Sequence, residues 1–127
     1  MFKNTVKSNI LIILLGVISG ILSGAFGLGI TTLALPGFLI LGLVPDLKTS
    51  IGTALISSPS SWPAAYEYYK NGFVDLFKGI LFFICHIFGS YYGAFLNMLL
   101  TLKTLNYTVG FIYFILSLYF FQQGMKK

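Results

Sequence analysis

Between Gly16 and Gly37 the chain reads GVISGILSGAFGLGITTLALPG, apolar enough for a bilayer yet carrying glycines at 16, 20, 24, 27, 29 and 37. Residues four apart share a helical face, so Gly16, Gly20 and Gly24 form a smooth strip flanked by Ser19 and Ser23. In lipid, helices associate by close packing, and such a strip admits the backbone of a second helix. At Gly24-Ala25-Phe26-Gly27-Leu28-Gly29, three glycines in six residues lower helix propensity and favour a bend. A second apolar run follows, with Pro36 inside it. Two readings fit this pattern: a tight turn between packed helices, or a broken helix pair whose ends meet a substrate at membrane depth.

Composition decides the solvent. Of 127 residues, 57% are hydrophobic and only 9% charged, more apolar surface than a soluble single domain of this size can hide. The charge of +5 comes from eight lysines and no arginine, set against Asp46, Glu67 and Asp75. The lysines sit near the ends of the apolar runs, where they read as membrane-flank anchors. They are too scattered for a nucleic-acid patch. Cys85 is alone, which excludes an intrachain disulfide and a thiolate metal cluster, and no cofactor motif is present. Lys3 and Lys7 precede an apolar stretch, as in a signal peptide. Its length and the runs behind it favour a retained first span.

The expected architecture is an all-α polytopic membrane protein with four to five transmembrane helices, including a glycine-broken pair. Asn9 to Ala25 has the length a bilayer core demands. Ile30 to Val44 would cover only about 22 Å as helix, and suits a short span or half of a re-entrant hairpin. Thr49 to Tyr66 carries Thr49, Thr53, Ser57 and Ser60 at helical spacing, with Pro59 and Pro63 interrupting it. Those hydroxyls either repair a proline kink or line a polar path. Phe73 to Leu100 places His86, Ser90, Gly93 and Asn97 on one face, with Gly89 and Gly93 as a small-residue contact. Tyr107 to Phe121 is the last run. Trp62, Tyr66, Tyr68, Tyr69, Tyr107 and Tyr119 suit interfacial belts.

Counted this way, Lys3, Lys7, Lys48 and Lys103 face one side and Lys70, Lys78, Lys126 and Lys127 the other. Four against four gives no instruction about orientation, and a chain inserting both ways and pairing antiparallel is the expectation. His86 is the one titratable group deep in a run, which makes it either a proton-relay candidate or a hydrogen-bonding packer. Asn97 reads as helix–helix glue and Cys85 as a small packing residue. Asp46, Glu67 and Asp75 read as solvated flank charges. The lack of an intramembrane acid argues against cation/proton drug antiport. No nucleophile–base pair or metal-ligand cluster suggests an enzyme.

The segment Ser23-Gly24-Ala25-Phe26-Gly27-Leu28-Gly29, followed by Pro36, resembles the SGxxGxGGGxxxxP signature of the sulfite exporter TauE/SafE family. Gly42-Leu43-Val44-Pro45, Gly52-Thr53-Ala54 and Tyr68 to Asp75 resemble the family's downstream pieces in order, so the similarity covers roughly residues 10 to 120. The resemblance implies one repeat of a two-repeat transporter of the cell membrane, exporting a small sulfur-containing or organic anion such as sulfite. It also implies a partner: a second copy or a separate half-length chain. An anion would be held by backbone donors at the glycine break, giving Gly24, Gly27, Gly29 and Pro36 as site residues. Hydroxyls of Thr31, Thr32, Thr53 and Ser57 would add donors. Ile30 and Thr31 stand where the signature has its last two glycines, and Ala54 replaces a serine. The rival reading is a non-transporting membrane subunit that stabilises another membrane protein.

Overall fold

The computed structural model describes residues 5–126, with the side chains of Ile30 and Thr31 outside the described set. Its elements are α1 (Val6–Phe26), α2 (Ile30–Ile40), α3 (Leu47–Leu55), a 3-10 turn at Pro59–Ser61, α4 (Trp62–Lys70), α5 (Leu76–Asn97) and α6 (Leu102–Met125). Among the described residues there is no strand. Each longer helix starts on a side-chain cap that satisfies an otherwise orphaned amide. Thr5 accepts from the Ser8 amide, Asp75 from Lys78 and Thr101 from Thr104. Asp46 caps α3 by accepting from the Thr49 amide, a bond that holds its carboxyl below the ordinary range.

Three helices, α1, α5 and α6, are long and apolar enough to cross a membrane. Against the four to five transmembrane helices expected, there are three long ones among the described residues, and the return to the level of the start of α1 is made by the shorter α2 together with the Leu41–Pro45 loop. At 1.5 Å per residue the 11-residue α2 is about 16 Å long and the nine-residue α3 and α4 about 13 Å each, against a core of about 30 Å. The expected third span is split at Pro59, which lacks an amide proton and pushes the residue before it out of helical backbone, while Pro63 sits in the first turn of α4, where no intrahelical amide bond is lost. Ser58 is accordingly extended, with φ −121° and ψ 98°.

The bundle is built on α1 and α5, which run parallel. Gly16 lies against Phe82 and Cys85, Gly20 against His86 and Gly89, and Gly24 against Ser90 and Ala94. A Cβ on Gly20 would stand 2.8 Å from the Gly89 Cα, and one on Gly93 2.8 Å from the Ala25 amide. Neither helix could approach so closely with larger residues, and the small-residue strip read from the sequence is this contact. Asn97 closes the far end by donating through Nδ2 to the Ala25 carbonyl, the helix–helix glue expected of it.

After α1 the chain turns at Gly27, whose φ of +67° suits glycine, and its amide bonds the Ser23 carbonyl as a left-handed C-cap. Helix α2 then runs back beside α1, with Gly37 against Leu15. The loop Leu41–Pro45 thereby returns to the level of Thr5, Ser8 and Leu11. Ile12, Ala34, Phe38, Leu43, Val44, Ala54 and Phe82 form the buried apolar core between these elements. The α3–α4 hairpin folds across the start of α5: Gly52 abuts the Phe73 carbonyl, and Gly79 abuts Ile56 and the Thr53 carbonyl. No described residue of helix α6 is fully buried, and it touches the rest only sparsely, α1 among them.

Candidate functional site

The glycine break exists as a helix interruption at residues 27–29, but not at mid-bilayer depth. It lies level with Asn97, the last residue of α5, as the Asn97–Ala25 bond shows. Helices α1 and α5, of 21 and 22 residues, each rise a little over 30 Å. Both are matched to the hydrocarbon core, which places the break at one edge of it. Ser23 Oγ donates to the Leu28 carbonyl over 2.7 Å and holds the turn against α1. Gly29 is the N-cap residue of α2, and the Thr32 amide bonds its carbonyl at 3.0 Å. Gly27 and Gly29 are exposed, Leu28 is buried, Thr32 is half-buried, and the Thr31 side chain lies outside the described set. Pro36 is buried inside α2. Gly24 belongs with Gly16, Gly20, Gly89 and Gly93 in the α1–α5 contact.

Midway along the helix pair sits His86, 4% exposed, with Nδ1 3.5 Å from Ser19 Oγ and its ring 5.6 Å from that of Phe82. Phe82 in turn stacks at 5.3 Å on Phe38. Lys78, Phe82 and His86 follow one another at four-residue intervals, so they share a face of α5. This face alternates charged, apolar and polar layers.

The lowest layer is the unexpected one. Lys78 and Asp75 are 3% and 5% exposed, with Nζ 3.1 Å from Oδ2. Lys78 Nζ also donates to the Leu43 carbonyl at 2.7 Å. Thr53 Oγ1 accepts from the Asp75 amide at 3.0 Å. Asp75 is therefore a buried, paired acid and not the solvated flank charge the sequence suggested, and Lys78 is not a surface anchor. The cause is the α2–α3 loop, which folds over the first turn of α5 and removes its water. Burial of such a pair is sustained because each charge keeps its partner and further hydrogen bonds. Lys78, Lys7, Thr5, Ser8 and the Leu41–Pro45 segment line an open cleft of about 610 Å³ at this end of the molecule.

The hydroxyl stripe of α3 faces inward: Thr49, Ser50, Thr53 and Ser57 are buried, while Ser60 is exposed and bonds Ser58. Ser50 Oγ donates to the Leu35 carbonyl. Ser57 Oγ is buried with no hydrogen-bond partner among the described residues. The expected site residues thus fall in two places. Gly27, Gly29 and Thr32 sit at one end of α1, Thr53 joins Asp75 and Lys78 near the other, and roughly 22 Å of helix between Ser8 and Ser23 separates the ends. Sequence reasoning missed Lys78 and Asp75. The available signal was an Asp-x-x-Lys spacing with the lysine one turn inside an apolar run, where a flank anchor would stand outside it.

Among the described residues no group of three His, Cys, Asp or Glu side chains is placed to hold a metal ion. A family model described as Sulfite exporter TauE/SafE matches residues 12–127. Comparison with curated proteins and with solved structures finds no match.

Proposed function

Since the chain belongs to the sulfite exporter TauE/SafE family, a family of membrane transporters, we propose that it is a half-length exporter of a small anion such as sulfite, completed by a second repeat. The observation that carries this reading is the Lys78 layer. Lys78, paired with Asp75, lies at the floor of an open cleft that Lys7 also lines beside the exposed end of α1, so the cleft carries a net positive charge from two lysines against one acid. An anion entering there meets Lys78, Ser8 and Thr5 before the Phe38–Phe82 pair, an apolar plug in front of His86 and Ser19. On this reading His86 is the proton-relay candidate, and Thr53 positions Asp75 against Lys78. Gly27, Gly29 and Thr32 form the opposite mouth, where the N-terminus of α2 favours negative charge. Ser57, with its free hydroxyl, and Pro36 support the path from α3 and α2.

The test is sulfite efflux from proteoliposomes of the purified chain, comparing wild type with Lys78→Arg and Lys78→Met. Flux retained by Arg and lost by Met, with both variants folded, supports a cationic entry. Equal flux in all three removes Lys78 from the route. If wild type carries no sulfite or related anion while still co-purifying with a membrane partner it stabilises, the non-transporting subunit is the better reading.

A further inference from the structure

We infer that this chain inserts in one orientation only, with the cleft end in the cytoplasmic leaflet and an even number of membrane crossings. The geometry supplies the count. Helix α1 crosses, and residues 27–45 return, because Leu41–Pro45 and Lys78 line one cleft with Thr5 and Lys7. The α3–α4 hairpin leaves and rejoins that same end: Lys48 lies over the Phe73 ring at 5.4 Å and Asp75 bonds Thr53. Helix α5 crosses parallel to α1, and α6 starts level with its end and is long enough to cross back. Four crossings bring Thr5 and Lys126 to the same side.

Lysine placement then becomes asymmetric. Of the six described lysines, Lys7, Lys48, Lys70, Lys78 and Lys126 belong to the cleft end, and Lys103 alone to the other. Lysines in short flanks are retained on the cytoplasmic side, and acids contribute little to that choice. The exposed lysines also meet the anionic headgroups of the inner leaflet, which attract cations near the surface. Relative to the four-against-four count read from the sequence, Lys70, Lys78 and Lys126 join the end of Lys7, and Lys103 leaves it. All four change sides because the third apolar run is a hairpin and not a span, which removes one crossing ahead of them. Two copies of the chain consequently insert the same way, and a homodimer is related by an axis along the membrane normal. This inference goes beyond the anion reading and is tested without measuring flux.

In a Cys85→Ala background, single Asn71→Cys and Leu102→Cys variants are treated with a membrane-impermeant maleimide on bacterial spheroplasts, and labelling is normalised to that in detergent. Leu102→Cys is expected to label from outside and Asn71→Cys only after permeabilisation; Met98→Cys, equally exposed at the α5 end, serves where Leu102→Cys accumulates poorly. Labelling of Asn71→Cys from outside, or of both sites in part from both faces, overturns the inference. A charge exchange, Lys48→Gln and Lys70→Gln with Leu102→Lys and Asn106→Lys, leaves three described lysines at each end and is expected to let part of the Asn71→Cys population label from outside. An unchanged pattern would show that lysine placement does not set the orientation.

Discussion

Gly20 and Gly89 touch through their Cα atoms, so the smallest added side chain reports on the contact. Gly20→Ala pushes a methyl against the Gly89 Cα and the His86 carbonyl. It should lower the unfolding temperature in detergent and cost roughly 1–3 kcal/mol, as overpacking does. Gly110→Ala meets nothing within contact range in the exposed α6 and should be neutral or stabilising by up to about 1 kcal/mol. Equal effects of the two would mean that α1 and α5 are not in backbone contact. The Lys78–Asp75 pair is a sharper case. Lys78→Met leaves a carboxylate buried without its cation, expected to cost about 3–5 kcal/mol. Adding Asp75→Asn should recover most of that loss, and a double-mutant cycle on denaturation in mixed micelles measures the coupling. The glycine strip was legible in the sequence because its four-residue spacing has one geometric meaning. The burial of Lys78 was not, because it depends on a loop 35 positions earlier folding over it.

Helix length decided which apolar runs became spans. The expected first run and the fourth appear as α1 and α5, with caps at Thr5 and Asp75 setting their starts. The expected third span failed because hydropathy does not distinguish a crossing from a hairpin of the same composition, whereas two prolines four residues apart do. The resulting α3–α4 hairpin packs on the first two turns of α5, with Trp62, Tyr66 and Tyr69 exposed beside Leu76 and Ile80. That is interfacial depth, where aromatic rings with a polar atom prefer to lie. Trp62 donates its indole proton to the Ile56 carbonyl at 3.0 Å, which fixes it on the hairpin. As the lone tryptophan it gives a clean fluorescence readout. In reconstituted bilayers it should be quenched more strongly by lipids brominated near the headgroup than by lipids brominated near the chain terminus. The reverse order would restore a spanning third segment.

At the scale of the whole molecule, α6 is the helix with the most uncovered apolar surface. None of its described residues is fully buried, so most of its apolar surface faces acyl chains or another repeat. The family resemblance was carried by short motifs and was readable at once; the handedness of assembly was not, since it turns on the parity of crossings. Four crossings return the chain to its starting side, which makes a direct end-to-start fusion of two copies topologically free. We therefore expect a tandem dimer, joined by a flexible linker of about 15 residues, to insert with both cleft ends on the same face. Such a linker spans about 20 Å on average, comparable to the separation of adjacent bundles. In the tandem, Leu102→Cys placed in the first or the second copy should label from the same side, and sulfite flux per repeat should equal that of the unfused chain. Were the crossings odd, the second copy would be inverted. Its cysteine would label from the opposite face, and the lysines of the two copies would face different leaflets. Opposed labelling with full flux would instead point to an inverted pair as the working unit, and the parallel arrangement derived from the shared cleft of Lys7 and Lys78 would have to be abandoned.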